Sequence, residues 1–273
     1  MKDVHVAIGW DSREMDAYEV CEHSLVRRSS IPVAVTPLMH NNLRYFGLFD
    51  REWRIDKNGQ HWDVADNAPF STEFSHTRFL VPELARRNKV KGWVIFCDCD
   101  FLWLDDIKNL LDELDDYYPV MTVKFNYEPE SDTKMDNKIQ TKYNCKLWSS
   151  LMAFNMNHKA NKKLTHTAVN EMKGLDLHQF AWLSRGPNSV GEINPRWNYV
   201  PGIMGENTPL HPSAVHFSLG GPWMKGYTDC EFSDKWFAER AHREYQNGDT
   251  LKDMKCLHFT CNVVSRRSLE HLC

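Results

Sequence analysis

Short apolar runs alternating with amphipathic stretches predict strands and helices in alternation along most of the chain. Val4 to Ile8 reads as a first strand, closed by the turn Gly9-Trp10-Asp11 and followed by a helix from about Met15 to Arg27. Ile31 to Leu38 reads as a second strand, pinned by Pro32 and Pro37. Between Met39 and Pro69 no period holds; the segment is polar, aromatic and long, as an insertion or lid over a site would be. Helical character resumes from Phe70 to Ala85, with Ser71 or Thr72 as cap, Phe74, Phe79, Leu80 and Leu84 as packing residues, and Pro82 as an internal kink.

The next run carries the clearest chemistry. Gly92-Trp93-Val94-Ile95-Phe96-Cys97 is apolar and ends in Asp98-Cys99-Asp100, which is how a buried central strand of an α/β sheet ends at a ligand site. On an extended backbone Asp98 and Asp100 point the same way, roughly 6 to 7 Å apart at Cα. Carboxylates that close repel unless a cation sits between them, and Mg²⁺ or Mn²⁺ takes oxygen ligands while keeping positions for substrate phosphates. The alternative is that Asp100 caps the next turn and Asp98 is solvated. Leu104, Ile107, Leu110, Leu111 and Leu114 then recur at helical spacing behind Asp105 and Asp106, giving strand, acidic turn and helix in sequence.

Beyond this unit, Val120 to Phe125 reads as a strand, and Trp148 to Asn155 as another entered from a hydroxyl-rich turn suited to a sugar or to capping. Leu175 to Leu183 reads as a short helix whose polar groups line a pocket or cap it. Ile193 to Tyr199 is a turn leading into an aromatic strand. Ala214 to Trp223 runs a short strand through His216 into Gly220-Gly221, where backbone N–H groups can wrap an anion. From Thr228 the tail is mixed helix and short strand, with Arg266-Arg267 near its end.

With 273 residues, 42% hydrophobic and 12% aromatic, the chain can bury the core of one large α/β domain or two small ones. A net charge of −4 does not by itself suggest a nucleic-acid binder, but the charge is uneven. Positions 124 to 173 hold nine lysines against five acids, leaving the remainder of the chain at −8. Neither a secretory apolar region nor a run long enough to span a membrane is found, so a cytoplasmic location is expected, in the host if the chain is phage-encoded. Eight scattered cysteines fit reduced thiols, and Cys256, His258 and Cys261 form only an incomplete zinc set.

In this order, Ile8-Gly9-Trp10-Asp11, the Arg78 segment Phe74-Ser75-His76-Thr77-Arg78-Phe79-Leu80-Val81-Pro82, Asp98-Cys99-Asp100 and the late His216-x-x-x-Gly220-Gly221-Pro222-Trp223 resemble the GT-A glycosyltransferases, most nearly the family 8 type and its bacterial and phage relatives. The resemblance implies a Rossmann-like mixed sheet flanked by helices, one domain over 1–273 with a lid-like insertion. Residues 1–118 would form the nucleotide-sugar half, and 119–273 the acceptor side with the C-terminal metal and phosphate motif. It implies that Asp98, Asp100 and His216 hold Mn²⁺, or Mg²⁺, against the diphosphate of a nucleotide sugar. Ile8, Gly9, Asp11, Arg78 and Asp98 would contact that donor, and Gly220, Gly221 and Lys225 its phosphates, although the family's usual Gly and Lys spacing after the histidine differs. Asp176 and Gln179 would face the donor sugar. A retaining enzyme needs no dedicated base and could use Gln179 to steady the oxocarbenium-like sugar. An inverting one would need a carboxylate, for which Glu192 and Asp63 are candidates.

The expected activity is metal-dependent transfer of a sugar from a UDP-sugar to a hydroxyl. The lysine excess, with Tyr127, Tyr143 and Trp148 beside it, suits an anionic surface glycan or DNA carrying 5-hydroxymethylpyrimidines as acceptor, or is a solvated loop. Other classes are a metal-dependent nuclease or phosphatase, which would show further carboxylates for a second ion, and a non-catalytic nucleotide-sugar-binding protein.

Overall fold

The computed structural model describes residues 3–126, 144–204 and 211–248. Its centre is a six-stranded sheet of β1 (Val4–Gly9), β2 (Val33–Leu38), β6 (Trp93–Cys97), β8 (Val120–Thr122), β9 (Leu151–Asn155) and β10 (Val190–Glu192), in the order β10-β8-β9-β6-β1-β2. β9 alone runs against the others. Central strands buried on both faces need apolar side chains throughout, and β6 and β9 meet that demand: from Val94 to Cys97 and Leu151 to Phe154 every residue is buried. The mixed α/β sheet expected from the sequence is therefore present, with β10 as a strand that the sequence pattern did not reveal.

The helices are α1 (Met15–Arg28), α2 (His40–Tyr45), α3 (Val81–Arg87), α4 (Ile107–Asp112), α5 (His166–Glu171), α6 (Gly174–His178) and α7 over residues 233–248. Asp106 caps α4 by accepting from the Lys108 N–H. The segment without a period holds α2 and a small antiparallel sheet of β3 (Trp53–Ile55), β4 (His61–Asp63) and β5 (Ala68–Phe70). This insertion is fastened by Arg51, which pairs with Asp63 at 2.7 Å and Asp66 at 3.0 Å and donates to the backbone carbonyls of Val169, Asn170 and Met172.

Three expectations need correction. The helix read from Phe70 to Ala85 is a series of turns, a 3₁₀ turn at Thr77–Leu80, and α3. Pro82 starts that helix instead of kinking it, because its missing N–H falls in the first turn where no partner exists. Asp98 and Asp100 do not share an extended strand: β6 stops at Cys97 and the two aspartates form the turn into β7 (Phe101–Trp103). Val120 to Phe125 is strand only to Thr122. Cys256, His258, Cys261 and Arg266-Arg267 lie outside the described residues, as do Tyr127, Lys134, Lys138, Lys142 and Tyr143. Among the described residues Cys21, Cys97, Cys99, Cys145 and Cys230 are free thiols, and no helix is long and apolar enough to cross a membrane.

A second, smaller sheet pairs β7 antiparallel with β11 (Ala214–His216), placing His216 opposite Phe101. It packs on one side against a cluster that includes Val20 of α1 and Trp236 of α7. These helices are clamped together by Glu239, 2% exposed, which bonds Arg27 at 2.8 Å, Arg28 at 2.7 Å and His23 at 2.6 Å. Burial alone would raise the Glu239 carboxyl, but the hydrogen bonds from Arg27 and Arg28 outweigh it and pull the group down to about 2. A depressed carboxyl contributes stability above its unfolded value and loses it as pH falls toward the folded one. Glu239→Gln is expected to cost roughly 2 kcal/mol at pH 7, less than a fully buried pair because Arg27 is 38% exposed. Urea unfolding should show that difference intact above about pH 4.5 and shrinking toward pH 2.

Candidate active site

The carboxyl ends of β1 and β6 and the start of β9 lie at one edge of the central sheet, because β9 runs the opposite way. Backbone pairing sets the residues there. The Asp98 N–H donates to the Ser150 carbonyl at 2.9 Å, and the Phe217 N–H to the Asp100 carbonyl at 3.0 Å. Asp98, Asp100 and His216 thereby converge: one ligand atom from each lies within 4.8 Å of the others, and His216 Nε2 stands 3.3 Å from Asp100 Oδ1.

The His216 ring is oriented from behind. Ser150 Oγ donates to the Leu147 carbonyl at 2.6 Å and accepts from Asn198 Nδ2 at 2.8 Å, which turns the Asn198 oxygen toward His216 Nδ1 at 3.0 Å. An amide oxygen only accepts, so Nδ1 donates, and in the neutral tautomer this leaves the Nε2 lone pair on the Asp100 side, available to ligate an ion. A cation between that lone pair and the carboxylate is attracted by both. Two carboxylates and one imidazole in this arrangement fit Mn²⁺ or Mg²⁺ by donor type. Among the described residues this is the one group of three such side chains that can hold an ion.

Beside the triad opens a cavity of about 230 Å³, lined at one edge by Asp98 and at the other by Asp63, Asp66 and β5 of the insertion. The unperiodic segment thus borders this cavity. Arg78, 5% exposed, spans the floor: its Nη1 lies 2.8 Å from Asp98 Oδ1 and donates to the Ser149 carbonyl at 2.8 Å, with the guanidinium 5.1 Å from the ring centres of both Phe74 and Phe96. It fixes the Asp98 carboxylate. Two histidines complete the wall. Burial first, then the Arg51 charge, pushes His76 down to about 3; burial, then the charge of Arg78, holds His178 well below its ordinary value. Both rings are neutral at physiological pH, and Ser149 Oγ lies 2.7 Å from His178 Nδ1.

Several expected residues sit elsewhere. Asp176 and Gln179 are on α6 or at its end but do not line the cavity; Gly174, Leu175 and His178 do, because helical spacing puts these three on one face. Gly9 leaves room for the Phe74 ring, from which a Cβ at that position would stand 2.6 Å. Ile8 is fully buried in the core. Asp11 is buried and held by Arg13 through two side-chain bonds of 2.6 and 2.8 Å, whose pull outweighs desolvation and lowers its carboxyl. Gly220 donates its N–H to the Phe217 carbonyl at 2.9 Å, so that group is engaged within the turn. A Cβ on Gly221 would meet the Trp223 ring at 2.0 Å, and Lys225 is exposed. Glu192 is exposed and outside the cavity.

Residues that sequence reasoning passed over are His76, His178, Asn198 and Glu14. His178 was findable from its spacing to Gly174 and Leu175; Asn198 acts only through space and leaves no local signal. Glu14 lies behind the acidic turn, where Cys99 Sγ donates to it at 3.5 Å. Its carboxyl is pushed up to about 8, by burial first and then by the charges of Asp100 and Asp11.

Comparison with solved structures places the chain in the GT-A glycosyltransferase fold. The apo structure of the bifunctional glycosyltransferase WbbM superposes with a TM-score of 0.54 at 17% identity, over 88% of this chain and 50% of that one, so the chain spans half of WbbM's length. The apo glycosyltransferase GlyE of Streptococcus pneumoniae TIGR4 gives 0.51 at 15% identity, over 88% and 60%. The galactosyltransferase LgtC, solved with donor and acceptor sugar analogs, gives 0.50 at 11%, over 88% and 96%. At these identities the likeness is one of fold. No protein-family model matches the chain. Protein CDI of Arabidopsis thaliana is 41% identical over 249 residues, 90% of this chain and 89% of the relative. The chain belongs to the family of Arabidopsis protein CDI.

Proposed function

We propose that the protein is a metal-dependent glycosyltransferase of the family 8 kind that takes a sugar from a UDP-sugar. The observation that carries this reading is the convergence of Asp98, Asp100 and His216 at the rim of the cavity in a GT-A fold. When bound by these three, a divalent cation supplies charge neutralisation for the leaving diphosphate. The chain's own residues do the rest: Arg78 holds Asp98 in place, Asn198 presents the Nε2 of His216, and Ser149 with His178 offers hydroxyl-binding groups where the sugar would lie.

Retention of configuration is the reading the cavity favours. An inverting mechanism needs a carboxylate base, and Asp63 is ill suited: the hydrogen bond from Arg51 outweighs desolvation and keeps its carboxyl below the ordinary range. Asp66 is held by the same guanidinium. For the acceptor, a glycan hydroxyl is favoured over DNA. Of the described lysines behind the nucleic-acid expectation, Lys146 lines the cavity, whereas Lys159, Lys162 and Lys163 follow the far end of β9.

A panel of UDP-sugars with Mn²⁺, read as UDP release, tests the assignment. Asp98→Asn, Asp100→Asn and His216→Ala should each reduce release by about a thousandfold, and excess EDTA should do the same to the wild type. Full turnover in chelator would refute the metal reading. Asn198→Leu should weaken Mn²⁺ binding by about 10- to 100-fold, measured by titration, with kcat restored at saturating metal. Finally, His178→Ala should lower kcat/KM for the UDP-sugar by about tenfold, while Gln179→Ala changes it little; the reverse order would mean that the far face of α6 turns toward the donor.

A further inference from the structure

The helix pair α1 and α7 brings together nitrogen and oxygen donors that the catalytic reading leaves unused. His23 of α1 meets His242 and Gln246 of α7, which lie four residues apart and so on one face of that helix. None of the three lines the catalytic cavity. His23 Nε2 stands 3.4 Å from His242 Nδ1 and 3.1 Å from Gln246 Oε1. The other nitrogen of His23 is already committed, with Nδ1 at 2.6 Å from Glu239 Oε1. That carboxyl is pulled down to about 2 and is ionised, so Nδ1 donates to it, and in the neutral tautomer the Nε2 lone pair is directed at α7. A carboxylate behind one ring nitrogen and a free lone pair at the other is the arrangement that holds a metal-binding histidine.

The two rings are placed as ligands of one ion would be. Around a tetrahedral Zn²⁺ two imidazole nitrogens stand about 3.3 to 3.4 Å apart, and their ring centres about 5.2 Å. Here the nitrogens are 3.4 Å apart and the centres 5.3 Å. A straight N–H···N bond of that length would part the centres by about 5.7 Å, so the nitrogens point at a common place beside the line between them. A square-planar ion would draw neighbouring nitrogens to about 2.8 Å, so the spacing selects Zn²⁺ over Cu²⁺. Charge does not oppose a cation here. Arg27 and Arg28 pair with Glu239, Arg243 with Glu19, and Arg240 with Asp16 and Glu244, so each nearby guanidinium is matched by a carboxylate. The place is open to solvent, since His242 and Gln246 are exposed and the His23 side chain is 13% exposed.

We propose that His23 Nε2, His242 Nδ1 and Gln246 Oε1 bind Zn²⁺, with water in the fourth position, and that the ion ties α7 to α1. The donors set it apart from the acidic turn: two imidazoles suit Zn²⁺, whereas the carboxylates of Asp98 and Asp100 suit harder ions. The site stands or falls apart from the glycosyltransferase reading.

The test is calorimetric titration with Zn²⁺ of two proteins, one of them bearing His242→Ala. Both also carry His216→Ala, so that zinc at the acidic turn does not mask the result, and any other zinc-binding group is common to the two. His242 is exposed, so its loss leaves the fold intact. The protein with His242 should bind one more zinc ion than its counterpart. Because the ion binds the folded state alone, zinc at about ten times its Kd should raise the Tm of that protein by about 3 °C and leave the His242→Ala protein without this rise. An equal number of ions bound by the two proteins, or an equal response of their Tm to zinc, overturns the proposal.

Discussion

The candidate site depends on the register between two three-residue strands. β7 and β11 are far apart in the chain, and only their pairing sets His216 opposite Phe101 and the Phe217 N–H on the Asp100 carbonyl. A slip of one residue would turn every side chain to the other face. Burial on both faces forbids it. Phe101, Trp103 and Ala214 belong to the main core, while Leu102 and Val215 belong to the cluster with Tyr199 and Trp236. His216 lies on the Phe101 side, its ring stacked at 4.7 Å on that phenyl. A slipped register would drive the imidazole among Tyr199, Phe217 and Trp236. Packing thus fixes the placement of His216 beside Asp100, and the Glu239 clamp matters to the site because it holds Trp236, and so the outer face of β7 and β11, against α1.

Electrostatics shape the cavity in a complementary way. Its carboxylates are not left to repel one another: Arg51 stands behind Asp63 and Asp66, and Arg78 beside Asp98. Burial first, and then these cations, keep His76 and His178 uncharged. The outcome is a pocket with fixed charges at its two edges and neutral hydrogen-bonding groups between them. A sugar has hydroxyls and no charge, and the diphosphate it leaves is anionic; the neutral wall suits the first and the acidic turn, through a cation, the second.

How far the sequence could be read follows from which interactions are local. β6, the acidic turn and α4 were legible because burial on both faces makes a strand uniformly apolar and Asp106 caps within its own segment. The convergence of Asp98, Asp100 and His216 was legible through resemblance, since nothing in spacing ties His216 to Asp98. α3 was misread because the apolar positions of Phe74, Phe79 and Leu80 mimic a helix although they pack from turns. Gly9, Gly220 and Gly221 each pack against an aromatic ring that a Cβ would strike, a contact that only the fold reveals. Asp176 and Gln179 rest on the resemblance alone; the α6 residues that line the cavity are Gly174, Leu175 and His178, which helical spacing groups on one face.

The uneven charge of the chain has its explanation in the direction of one strand. The lysine-rich stretch, counted along the sequence, looked like a single basic surface beside the catalytic turn. β9 runs through the middle of it, entering at Ser149 and Ser150 next to Asp98 and leaving at Asn155 beside Trp93, at the start of β6. Being antiparallel to β6, it carries the chain from one end of the sheet to the other. Lys146 is left at the cavity beside the acidic turn, and Lys159, Lys162 and Lys163 emerge at the far end, where Arg86 of α3 and Lys89 and Lys91 of the loop before β6 join them. One strand reversal therefore divides a single run of charge between the two ends of the sheet, with Lys146 by the acidic turn at one and Lys159, Lys162 and Lys163 among further basic residues at the other.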